Sequence, residues 1–160
     1  MSTKHAIAIN SFRGIGLLAI LCGLFGFYYN FSTLGTALAG KFGAENGAGF
    51  YVAFYLMSLI CFVIHGLMFF LGVKIFRRQQ RFVNTFVKLL IFEVIYFFSV
   101  SLMWMIPSIG MSVAGATGVA NGGLMIGFLI LLPLWSPFLL KWARRNLPPL
   151  MTEQVAVSNL

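Results

Sequence analysis

Polar residues interrupt this chain only at intervals. Between them lie four long apolar runs, at residues 14–33, 50–73, 83–106 and 123–140. About 20 residues of helix cross a hydrocarbon core of about 30 Å, so each run is of spanning length. The second and third runs are too long for strands of an outer-membrane barrel, and they lack apolar/polar alternation. The pattern predicts an all-α polytopic membrane protein: a single membrane domain over residues 1–160, with four transmembrane helices in an up-down bundle.

The polar segments supply the connections. Residues 1–13 read as a short polar lead. Residues 30–49, rich in small residues, read as the first loop. Phe31, Leu34, Leu38 and Phe42 keep helical spacing there, so either the first helix continues past the membrane or a short helix lies on its surface. A basic turn at 74–82 joins the second and third runs, Pro107 stops the third, and residues 141–160 form a C-terminal tail. Ala37-Leu38-Ala39 resembles a signal-peptidase site, but the polar stretch between it and the apolar core is long, and it is expected to stay uncut. Pro133 and Pro137 predict a bend between Leu129 and Ser136, because neither can donate the backbone hydrogen bond of its turn.

Charge orients the bundle. Nine of the basic residues fall on one side of the four-span plan: Lys4, Arg13, Lys74, Arg77, Arg78, Arg81, Lys141, Arg144 and Arg145. Only Lys41 falls on the other, and Lys88 lies within a span. The basic side is expected to be cytoplasmic, which places both termini inside. A bacterial inner membrane is the simplest setting. The net charge of +8 sits in short clusters between apolar runs, which suits anionic lipid headgroups rather than nucleic acid. Lys74, Arg77, Arg78, Arg81, Lys88, Lys141, Arg144 and Arg145 are the expected lipid and topology contacts, with Lys88 snorkelling toward the headgroups.

Composition agrees. Hydrophobic residues make up 60% of the chain and charged residues 9%, far below the quarter or so that a water-facing surface carries. Small residues mark close helix contacts: Gly16 and Gly23 on the first span, and Gly123 and Gly127 on the fourth.

Little chemistry is on offer. Cys22 and Cys61 lie in apolar runs without the spacing of a metal site, and buried inert thiols are the expected reading. The chain has no Asp, no paired-carboxylate site and no nucleophile beside a base. His65 is the one histidine within a span, so a bis-His haem site within the chain is not expected. No cofactor and no metal are expected. The deep ionisable residues are His65 and Glu93, each fourteen positions from Gln79 in the basic turn. A regular hairpin puts them at similar depth, as a buried polar pair candidate that is either a structural hydrogen bond or a proton-relay pair. Two functions follow: a non-catalytic accessory or assembly subunit, or self-associating tetraspan, whose partners are other membrane subunits or itself; or a small proton-coupled transporter using Glu93.

Overall fold

The computed structural model describes residues 3–38, 48–104 and 132–147. Among these there is no strand. Helix α1 runs Thr3–Leu38, α2 Ala48–Phe76 and α3 Val83–Trp104, with a short 3-10 turn Gln80–Phe82 before α3; a last helix, α4, runs Ser136–Asn146. Three helical segments are long and apolar enough to cross a membrane: Thr3–Ser32, Tyr55–Phe76 and Gln80–Ser99.

The residues expected to be a polar lead are helical instead, and α1 is much longer than the predicted 14–33. Its 36 residues reach about 54 Å at 1.5 Å per residue. The cause is a buried stripe, Ala8, Phe12, Ile15 and Ala19, which continues through the polar lead at helical spacing while Lys4, Asn10 and Arg13 stay exposed. At its other end α1 continues through residues 30–38, the first of the two possibilities left open for that segment.

Helices α1 and α2 pack antiparallel at close range. A Cβ built on Gly16 would lie 2.6 Å from the Phe76 Cα, and one on Gly23 would lie 2.7 Å from the Phe69 backbone nitrogen. From the other side, a Cβ on Gly72 would meet the Ile20 nitrogen at 2.9 Å. With such small residues the backbones themselves touch, which is the main attraction left between helices in lipid. Helix α3 returns antiparallel to α2, since Tyr96 meets Met57 and Cys61 while Phe82 meets Lys74.

The basic turn is tightly tied. The N–H of Gln79 donates to the Lys74 carbonyl at 3.0 Å and that of Arg78 to Ile75 at 2.8 Å, the paired bonds of a Schellman helix end. This motif needs a left-handed residue, and Arg78 takes it with φ 60°. Glycine is the usual occupant because a Cβ is disfavoured there by about 1 kcal/mol or more.

The predicted fourth span is only partly within the described residues: 123–131, with Gly123 and Gly127, lie outside them, as does Ala39. The described part is a turn over Leu132–Trp135 followed by α4. Pro133 sits in the turn and Pro137 in the first turn of α4, where a missing N–H breaks no helical bond. The N–H of Ser136 donates to the Leu132 carbonyl at 3.1 Å. Regular helix begins only at Ser136 and then runs to Asn146, beyond the predicted end at 140, because Ser136, Leu140 and Ala143 form a buried stripe. That stripe joins one core with Phe12 and Ile15 of α1, Ile75 of α2 and Phe86 and Leu90 of α3. The core therefore lies toward the end that carries the basic turn. Lys74, Arg77, Arg78 and Arg81 share that end with Lys141, Arg144 and Arg145, and Arg144 Nη1 donates to Asn84 Oδ1 at 3.2 Å.

Candidate functional site: a polar layer within the bundle

Deep in the apolar packing, α1, α2 and α3 bring their polar side chains to one layer. Ser58, His65 and Glu93 are all buried, Glu93 to 3% exposure and His65 to 5%. Gly26 of α1 shapes the layer, because a Cβ there would fall on the His65 ring. The imidazole is thus seated against α1. Its Nδ1 lies 2.8 Å from the Cys61 carbonyl; a carbonyl only accepts, so this bond takes its proton from Nδ1. Asn30 Nδ2 donates to the Gly26 carbonyl at 2.8 Å and stands 3.3 Å from the same ring nitrogen. Phe97 of α3 flanks the ring, with centroids 6.3 Å apart.

A second set of bonds ties α2 to α3. The Tyr96 hydroxyl donates to the Met57 carbonyl at 2.9 Å, and Cys61 Sγ lies 3.7 Å from the same hydroxyl as its donor. Glu93 stands one helical turn before Tyr96. Among the described residues, Oε2 of Glu93 is buried with no hydrogen-bond partner.

The layer therefore contains both His65 and Glu93, but the imidazole engages the Cys61 carbonyl rather than the carboxyl, and no ion pair links the two. Equal depth along a hairpin does not set the azimuth of either side chain. His65 turns toward the gap at Gly26, and Glu93 projects from the face of α3 that it shares with Leu89, Leu90 and Phe97, all buried. Among the described residues no three His, Cys, Asp or Glu side chains converge as metal ligands.

Gly26, Asn30, Cys61 and Tyr96 were not legible as members of the site. Gly26 extends the Gly16–Gly23 strip by three residues, and Asn30 follows it by four on a helix that continues past the expected span. Those spacings were the available signal. Elsewhere, Lys74 lies over the Phe70 and Phe82 rings at 5.0 and 5.7 Å, and Arg81 over Phe82 at 4.8 Å. Such cation–π contacts anchor the turn. Lys88 is exposed on α3 and Arg77 at the turn.

Compared with protein families, curated proteins and solved structures, this chain matches none.

Proposed function

We propose that the protein is a non-catalytic integral membrane protein that works by association, as an accessory or assembly subunit of a membrane complex or as a self-associating tetraspan. In this reading residues 1–160 form one membrane domain of four spans, with both termini and the basic turn on the cytoplasmic side of a bacterial inner membrane. The observation that carries it is how the deep polar groups are used. His65, Asn30 and Tyr96 each engage a backbone carbonyl, of Cys61, Gly26 and Met57 respectively. The first two bonds close within α2 and within α1, and the third ties α3 to α2; polar groups spent on the backbone in this way leave little for chemistry on a solute. Apolar faces complete the picture: Ile91, Ile95 and Phe98 of α3 and Leu56, Leu59 and Val63 of α2 are each more than half exposed, available to lipid or to a neighbouring subunit.

The deciding experiment is purification of the full chain in mild detergent with identification of co-purifying proteins. A stoichiometric membrane partner or a defined homo-oligomer is expected. A monodisperse monomer whose solute binding varies with pH would overturn the reading. Topology is tested separately: reporter fusions after Arg78 and after Arg145 should both give cytoplasmic signals, and a periplasmic signal at either point removes the four-span plan. One observation favours the second reading, a proton-coupled transporter. The Glu93 carboxyl, with an unpartnered oxygen inside the bundle, is the kind of group such transporters use.

A further inference from the structure

At the basic end of the bundle, the connection between α2 and α3 meets α4 around an open cavity of about 360 Å³ lined by Gln80, Lys141, Arg144 and Arg145. Lys141, Arg144 and Arg145 fall at i, i+3 and i+4 of α4, so one helix face presents all three. The buried stripe of Ser136, Leu140 and Ala143 presses α4 onto the core, and this brings those cations beside Gln80, some sixty residues away in sequence. Nη1 of Arg144 donates to Asn84 Oδ1 at 3.2 Å, and the guanidinium carries further N–H donors. Among the described residues no acid lines the cavity. Of the three acidic residues in the chain, Glu93 is buried in the polar layer, and Glu45 and Glu153 lie outside the described residues. On the same helix Phe138 and Trp142 are exposed, at 76% and 39%. Aromatic rings of that kind settle at headgroup depth.

We propose that this cavity is a binding site for a phosphate ester, presented by the headgroup of an anionic glycerophospholipid. Guanidinium groups match phosphate oxygens in pairs, and lysine adds a compact charge. The open side admits a headgroup whose acyl chains run down past Phe138. The proposal rests on the reading that this end of the bundle faces an anionic leaflet. The two fail separately: a periplasmic reporter signal would sink the orientation, whereas titration of the purified chain decides the cavity.

The test titrates the full-length protein in detergent micelles, by native mass spectrometry and thermal melting, with phosphatidylglycerol, phosphatidylcholine or inorganic phosphate. Phosphatidylglycerol should bind about tenfold or more tighter than phosphatidylcholine. Arg144→Gln with Arg145→Gln should weaken it about thirtyfold, given roughly 1 kcal/mol for each of the two basic residues near a membrane surface. Arg13→Gln with Arg77→Gln removes the same charge from residues that do not line the cavity and should weaken binding much less than the cavity pair does. Arg144→Lys with Arg145→Lys, which keeps the charge, should retain the preference for phosphatidylglycerol. Competition by inorganic phosphate against phosphatidylglycerol on the unmodified protein needs no variant; if phosphate alone binds as well as the lipid, the site stands and a soluble phosphate ester is its source. Equal losses in the two double glutamine variants would show diffuse surface charge and overturn the proposal. Phosphatidylcholine binding as tightly as phosphatidylglycerol would do the same.

Discussion

Gly23→Leu should separate α1 from α2 and cost about 3 kcal/mol or more, the upper part of the range for overpacking a tight contact. The reason lies in what a Cβ at this position meets. Its nearest neighbours would be the Phe69 nitrogen at 2.7 Å and the His65 carbonyl and Phe69 Cα at 2.9 Å. All three are backbone atoms in the middle of a helix, and none can rotate away. Gly16 also faces backbone, that of Phe76, but Phe76 is the last residue of α2 and has more room to yield. Gly26 faces the His65 ring, which can swing aside at the loss of its bond to Cys61. Gly23 is therefore the least forgiving of the three. Gly66→Leu is the matched control, because a Cβ there meets nothing within 4 Å and leucine is the better helix former. Unfolding of both variants in mixed micelles checks the comparison. Should Gly23→Leu prove as stable as Gly66→Leu, the close packing of α1 on α2 is wrong.

Much of the helical plan can be read from the chain because lipid-facing helices need only length and apolarity. The runs at 50–73 and 83–106 fall inside α2 and α3 to within a few residues, and the basic turn lies between them. The length of α1 was hidden. Lys4, His5, Asn10 and Arg13 make its first turns look like a polar lead, and the stripe of Ala8, Phe12, Ile15 and Ala19 that makes them helical has value only once the rest of the core, on α2, α3 and α4, is there to cover it. The same holds for α4, whose proline-rich start hides a short amphipathic helix that runs on to Asn146. In the polar layer, depth was legible and azimuth was not. Residue counts from Gln79 place His65 and Glu93 at one level. Which way each ring or carboxyl turns depends on which neighbour leaves a gap, and the gap at Gly26 is a property of α1. Asn30 was obscured for a related reason, since it lies where the first apolar run gives way to the expected loop.

Glu93→Met should stabilise the protein by about 1–3 kcal/mol, the cost of keeping a buried polar group without its hydrogen bonds. Methionine is close to glutamate in length and flexible enough to fill the same space. Among the described residues Oε2 has no partner, so no bond is lost with it; Leu89, Leu90 and Phe97, buried on the same face of α3, are apolar. Glu93→Gln should change stability much less, because it exchanges one unsatisfied polar group for another. Unfolding of the three proteins under one set of conditions checks the order. A Met variant less stable than the parent would mean that the carboxyl has a partner strong enough to offset its burial. The same variant separates the two functional readings. If the protein acts by association, Glu93→Met should still co-purify with its partner or with itself in the same ratio, on a firmer scaffold. If it acts as a proton-coupled transporter, the variant should be more stable and yet lose pH-dependent solute movement in vesicles, since the proton-carrying group is gone. A destabilising carboxyl is retained most readily where it is used, so stability gained together with function lost is the result that would favour transport over assembly.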